Sequence, residues 1–290
     1  MRIVLGTANF GTNYGLRGAG QKAPHVNFKI ASEIISSAHE IGIVEIDSAL
    51  AYGPSQEWIS KLAGDGKFLV NSKIIWKGAD HFGDYESSLR QIRLQLLSCN
   101  LHLLQWHNWE KGTSSKENYR NLHMLLDRQQ ELFFGVTTYG AVHVEDALSI
   151  DSFSSIQLEY NILNQAALKG FLNFRGENRP SLYIRSVLLQ GLLTDAPLLD
   201  NPGSHKLQQK ITQIRELAHE WNLSTQELAI RSVANHVKDC AIVLGAESGQ
   251  QLQEMNGYIG NGPLPIELAE LVSELDSSLD PEVDPRNWVL

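Results

Sequence analysis

Short apolar runs alternate with segments of helical period from one end of the chain to the other. The runs are "RIVLGT" (2–7), "IVEID" (43–47), "KFLVNSK" (67–73), "LHLLQWH" (101–107), "LFFGVT" (132–137), "SSIQLEY" (154–160), "LYIRSVL" (182–188) and "CAIVLG" (240–245). Most are too short for helices, and several are rich in Val, Ile, Leu and Phe, as strands buried on both faces tend to be. Between them, Ile30, Ile34, Ala38 and Ile41 recur at helical spacing, as do Leu89, Ile92 and Leu96. Leu207, Ile211, Ile214, Leu217, Ala218 and Trp221 make one apolar stripe. Ser224-Thr225-Gln226-Glu227 then reads as a capping box, in which Ser and Glu side chains reciprocally satisfy free N–H groups.

Strands that alternate with helices pair in parallel, because parallel neighbours need a crossover. Eight such units in 290 residues predict a (β/α)₈ TIM barrel, with residues 1–290 as a single domain. The rival is a doubly wound open sheet, which normally carries a Gly-rich fingerprint after its first strand. "GTANFGTNYG" is not that fingerprint. No linker stands out, and the irregular segment "TDAPLLDNPGSH" (194–205) reads as a lid.

Composition narrows the function classes. Lys plus Arg number 24 against 33 Asp plus Glu, a formal charge of -9. That argues against nucleic-acid or membrane-surface partners, both of which need a basic face. Cys99 and Cys240 are the two cysteines and make no disulfide framework. No apolar segment reaches the about 18 residues of a membrane span, and "MRIVLGTANFG" lacks the layout of a signal peptide. The expectation is a cytoplasmic protein, with its oligomeric state left open. The ten histidines include no H-E-x-x-H and no metal-ligand spacing, so no metal is expected.

In a barrel, functional side chains sit at the C-terminal ends of strands and on the loops that follow. Asp47 ends strand two, with Tyr52 in its loop; Lys73 ends strand three and His107 ends strand four. Adjacent strands thus bring an acid, a phenol, an ammonium and an imidazole to one rim. Singly, each has a plain structural explanation, such as helix capping or a solvated charge.

The chain resembles the aldo-keto reductases. The likeness runs through "LGTANFG", "DSALAYG" at strand two, Lys73 and His107, "GVTTYG" (135–140), "QLEYNILN" (157–164), "SVLLQGLLT" (186–194) and "VLGAESGQQLQE" (243–254), in order. It implies an NAD(P)-dependent oxidoreductase that interconverts an aldehyde or ketone, sugar-like or anionic, with its alcohol. Asp47, Tyr52, Lys73 and His107 match the family's catalytic tetrad. Hydride transfer to a carbonyl leaves an alkoxide that needs a proton, so Tyr52 is the expected general acid. Lys73, held by Asp47, would favour the phenolate, and His107 would orient the carbonyl.

By the same resemblance, Thr137, Thr138 and Gln157 would hold the carboxamide end of a nicotinamide cofactor. Ser186, Leu188 and Gln190 would follow its ribose and pyrophosphate. The segment with Gly245, Glu247, Gln251 and Glu254 would hold the adenosine end, near a helix N-terminus suited to phosphate. Arg185 stands where the family usually stacks an aromatic ring on the nicotinamide; it could stack there or contact a substrate anion. Glu247 stands where a cation often meets the 2′-phosphate, so the choice between NADP(H) and NAD(H) stays open, with Lys206 able to offset the acid. Phe10, Tyr14, Trp76 and Trp109 are candidates for the substrate pocket, and Arg17 and Lys22 for an anionic group. Because Arg185, Glu247 and Met255 depart from the family pattern, a cofactor-binding regulatory protein of weak activity is the alternative.

Overall fold

The computed structural model describes residues 1–15, 25–75, 82–109, 132–150, 153–196 and 205–288. Trp76, Arg17, Lys22 and most of the segment read as a lid lie outside them. The eight expected strands form a closed parallel barrel in sequence order. They are β1 (Arg2–Gly6), β2 (Glu45–Asp47), β3 (Leu69–Ile75), β4 (Asn100–Trp109), β5 (Phe133–Thr138), β6 (Ser155–Glu159), β7 (Ser181–Arg185) and β8 (Ala241–Leu244). Closure comes from β1 on β8, where Val4 partners Val243. The barrel reading of the sequence holds, and the open sheet is excluded.

The described helices are α1 (Phe28–Glu40), α2 (Ser55–Leu62), α3 (Phe82–Gln95), α4 (Ala141–Leu148), α5 (Ala166–Asn173), α6 (His205–Glu220), α7 (Thr225–His236), α8 (Gly249–Gly260) and α9 (Ile266–Glu274). Their buried apolar residues belong to the main core. In α6, Leu207, Ile211, Ile214 and Ala218 are buried as their spacing predicts. Burying each of the larger of these side chains contributes about 1.5–3 kcal/mol. Ser224 caps α7 by accepting from Glu227 N–H at 3.0 Å. The reciprocal half of the predicted capping box is replaced, because the Glu227 carboxylate accepts instead from Arg231 and Asn261, each at 3.0 Å.

Period-two alternation sorts the strand residues. In β2, Ile46 packs in the apolar layer outside the barrel, whereas Glu45 and Asp47 enter polar networks with neighbouring strands. Towards the strand N-termini, Glu45 accepts from Asn71 at 2.6 Å and Tyr183 at 2.7 Å, and pairs with Arg2. A small apolar cluster of Val4, Leu103, Tyr183 and Ala241 packs as a unit separate from the main core. Two residues further along these strands stand Asp47, Lys73, Gln105 and Arg185, so polar side chains gather at the C-terminal mouth.

Strand seven is shorter than its apolar run suggested. It ends at Arg185 because Ser186 takes φ of 63°, in the left-handed region that breaks an extended chain. Leu189 and Gln190 also have positive φ, 45° and 53°, and a short 3₁₀ turn spans Leu189–Gly191. Such conformations persist in non-glycine residues only where the surroundings impose them, and they gather at functional sites. Here they follow directly on a barrel strand.

Candidate active site

Lys73 is the centre of the polar layer. Its residue is 1% exposed, and its ammonium donates to Asp47 Oδ2 and, at 3.1 Å, to the Ser48 carbonyl. Burial alone would pull the ammonium down from its ordinary range, and the adjacent Asp47 carboxylate acts against that. Asp47 is itself fixed on its other oxygen by Gln157, whose amide donates at 2.9 Å. Behind this pair, Thr7 Oγ1 donates to the Asp47 carbonyl at 2.9 Å, and Ser55 Oγ donates to Thr7 Oγ1 at 2.8 Å. The buried pair is thus hydrogen-bonded on nearly every side, as a buried charge requires.

Tyr52 lies over this layer, with its ring centroid 5.3 Å from Lys73 Nζ. His107 meets Tyr52 edge-on, with centroids 6.1 Å apart and planes at 84°. Asp47, Tyr52, Lys73 and His107 therefore do come together, although β3 and β4 each run two residues past Lys73 and His107. Their electrostatics differ from the expectation that Lys73 acidifies Tyr52. Burial first, and the Asp47 charge second, push the phenol above its ordinary range, while Arg185 pulls the other way. The phenol is held protonated. His107 is pushed down to about 3, by burial first and then by the charges of Lys73 and Arg185, so the imidazole is neutral at pH 7. Its Nδ1 has no hydrogen-bond partner.

A cavity of about 310 Å³ opens over these groups. Asp47, Tyr52, His107, Tyr14, Gln157 and Arg185 line the end with the cluster; Ser186, Leu188 and Gln190 continue it past β7. Gly245, Glu247 and Gln251 line it beside β8 and the start of α8. At that end Ser248 caps α8, accepting from Gln251 N–H at 3.1 Å, and Gln251 Oε1 accepts from Glu247 N–H at 2.7 Å. A ligand oxygen that takes the Glu247 N–H must displace this side chain.

Several expected site residues are placed elsewhere. Phe10 and Trp109 have no exposure and sit in the apolar core, Trp109 against Trp106 and Phe153 with its indole N–H on Asp146 at 2.9 Å. They support the mouth from below and do not line the cavity. Thr137 and Thr138 are also fully buried. Thr137 Oγ1 accepts from Asn108 N–H at 2.9 Å, which fixes the irregular end of β4, and Thr138 presents its carbonyl to Arg185. The residue after them, Tyr139, lines the cavity instead. Glu254 lies along α8, accepting from Gln250 at 2.9 Å, and is not a lining residue. Lys206 pairs with Asp280 at 2.8 Å and does not offset Glu247, which has His25 at 3.9 Å.

Two contributors were not read from the sequence. Asn9 lines the cavity, donates to the Ala246 carbonyl at 2.8 Å and leaves its buried Oδ1 unpaired. Tyr139 carries the Arg185 guanidinium 3.9 Å from its centroid and that of Arg286 at 4.1 Å. Tyr139 lies within a stretch already singled out and follows the last residue of β5, which was its available signal. Arg286 comes from the far end of the chain, and no local pattern announces it.

Sequence comparison gives the class of this barrel. The profile of the aldo/keto reductase family matches residues 2–277, and the chain belongs to that family. Its members use nicotinamide cofactors. Among solved structures, aldo-keto reductase AKR11C1 from Bacillus halodurans (holo form) is similar, with a TM-score of 0.78 at 17% identity, covering 96% of this chain and 92% of that one. The glycerol dehydrogenase AKR11B4 from Gluconobacter oxydans gives a TM-score of 0.72 at 19% identity, covering 94% of this chain and 90% of that one. Identity at this level speaks to the fold. No curated protein sequence matches the chain. Among the described residues no group of three or more His, Cys, Asp or Glu side chains could hold a metal, and no helix is long and apolar enough to cross a membrane.

Proposed function

We propose that the chain reduces an aldehyde or ketone with a nicotinamide cofactor, with Tyr52 as the proton donor. The observation that carries this reading is the meeting of Tyr52, His107 and the Lys73–Asp47 pair at one end of the cavity. The cavity fits an elongated polar cofactor: its lining carries the unpaired Asn9 oxygen and the left-handed backbone at Ser186 and Gln190. Gln157, Ser186, Leu188, Gln190, Gly245, Glu247 and Gln251 would hold it. When bound, the reduced nicotinamide supplies a hydride to the carbonyl carbon.

The chain's own part is to hold the carbonyl and manage one proton. Neutral His107 can donate a hydrogen bond to the carbonyl oxygen, polarising it without delivering a full charge. As the C=O bond becomes C–O⁻, the Tyr52 O–H transfers its proton to that oxygen, and the phenolate left behind faces Lys73 and Arg185. These cations count most at that moment, because they stabilise charge that develops only as the reaction proceeds. Gln157, with its amide N–H on Asp47, has a carbonyl oxygen for the cofactor's carboxamide.

Changing Tyr52 to Phe tests the assignment. Turnover of an accepted aldehyde should fall by roughly 10²–10⁴-fold, the usual worth of a positioned general acid. Cofactor affinity, read by fluorescence titration, should stay within about twofold, since the ring remains. A variant as fast as the parent would remove Tyr52 from the mechanism. Tight cofactor binding with no oxidation across a broad carbonyl panel would favour a regulatory binder instead.

A further inference from the structure

Among the described residues, Lys73, Arg185 and Arg286 are cations near the cavity's Tyr52 and Tyr139, and two of them are matched. Lys73 donates to Asp47, and Arg286 donates from Nε to Asp284 at 2.9 Å. Arg185 is different. Its nearest carboxylate, Glu159, is its cross-strand neighbour and lies 3.8 Å away, with Glu159 Oε2 making no hydrogen bond. Glu159 spends its other oxygen on the Gly140 N–H at 2.6 Å; burial pushes the carboxyl above its ordinary range, and Arg185 acts against that. Asp47, the acid at this end of the cavity, is committed to Lys73 and Gln157.

The Arg185 guanidinium is also held still. It donates to the Thr138 carbonyl at 2.8 Å and to Ser186 Oγ at 3.2 Å, and it lies 3.9 Å from the centroid of Tyr139. A surface arginine loses rotamer freedom when it binds an anion; this one has already lost it. Its side chain is 16% exposed and lines the cavity beside Tyr52 and His107. His107 is a neutral imidazole, and the one carboxylate lining this end, Asp47, is tied to Lys73 and Gln157.

We propose that Arg185 binds a carboxylate on the substrate, so that the preferred carbonyl compound is a short oxo acid carrying a single negative charge. A planar carboxylate matches the guanidinium fork. A guanidinium that no carboxylate hydrogen-bonds, with Glu159 held off at 3.8 Å, complements a monoanion better than a phosphate dianion, whose second charge it would leave unmatched. The remaining guanidinium donors are enough for one carboxylate and fix its distance from the reacting carbonyl.

The substrate assignment rests on the reductase reading, and the experiment separates the two. The full chain is assayed with succinic semialdehyde against butanal, which match in length and differ in the carboxylate. The same pair is run on Arg185→Gln and Arg185→Lys. Gln keeps hydrogen-bond donors for Thr138 and Ser186 while losing the charge; Lys keeps the charge. Butanoate binding is measured in parallel by calorimetry, with and without NADPH. The parent should prefer the acid by at least about tenfold in kcat/KM. That ratio should fall towards unity in the Gln variant and be largely kept in the Lys variant, with butanoate binding lost in the former. Comparing two substrates on one enzyme cancels any effect of the change on cofactor binding. A ratio near unity in the parent, or one unchanged in Arg185→Gln, overturns the proposal, as does a larger preference for a phosphate-bearing aldehyde. If neither aldehyde is reduced, the reductase reading fails and butanoate binding alone decides: lost on Arg185→Gln, it upholds the anion site; absent in the parent, it removes it.

Discussion

Gln157 on β6 reaches Asp47 on β2 with a 2.9 Å hydrogen bond between residues 110 apart in sequence. The bond joins two strands that are not neighbours in the barrel, so it ties the mouth across its width. Replacing Gln157 with Leu should leave a buried carboxylate oxygen without its donor and cost about 1–3 kcal/mol of stability. A urea titration reads this as a lower midpoint at unchanged slope. An unchanged midpoint would mean that Asp47 does not depend on this amide.

The Lys73–Asp47 pair is almost fully buried, with side chains 1% and 4% exposed. Breaking such a pair from one side is worse than removing both partners, because one buried charge is left uncompensated. Lys73→Met and Asp47→Leu should each destabilise by about 3–5 kcal/mol, whereas the double variant should lose clearly less than the sum. Simple additivity in denaturation measurements would contradict the pairing.

His107 should make stability depend on pH. Its folded pKa, about 3, lies below the ordinary 6.5, so between those values the unfolded chain binds more protons. The contribution is complete above pH 6.5 and is lost as pH falls towards 3. His107→Gln keeps a polar side chain that does not titrate, so its stability should fall less steeply over that window. Parallel curves for the two proteins would show that His107 is not buried as a neutral group.

Glu247 lines the end of the cavity beside β8, where a cofactor's adenosine would lie. A partly exposed like charge near a 2′-phosphate costs about 1 kcal/mol, roughly fivefold in affinity. Both NADPH and NADH should therefore bind with weak discrimination. Glu247→Arg should tighten NADPH by about five- to tenfold more than NADH in fluorescence titrations. Equal changes for the two would place Glu247 away from the 2′ position.

What could be read in advance follows from how each property is encoded. Strand and helix alternation is local, so all eight strands and the strand-end position of Asp47 were legible, whereas β3 and β4 each run two residues past Lys73 and His107. Burial of an aromatic ring is not local: Phe10 follows β1 and Trp109 is the last residue of β4, yet both rings turn into the core. The Thr137–Thr138 pair was assigned to the cavity one residue too early, because the residue that emerges at a strand end depends on where the strand stops. Charge balance is the least local of all. Whether Lys73 acidifies Tyr52 depends on Asp47 and Arg185 together, and Arg286 reaches Tyr139 only through the fold.

The brevity of β2 has a consequence for how the chain avoids error. Glu45 anchors the base of the barrel and Asp47 its mouth, with Ile46 facing the helices between them. A slip of one residue in this strand would turn both carboxylates out into the apolar layer and push an isoleucine inward. The polar attachments of Glu45 and of Asp47 would be lost in a single step. A misregistered chain is therefore a poor folder before it is a poor catalyst, and cellular quality control can discard it without ever testing its chemistry.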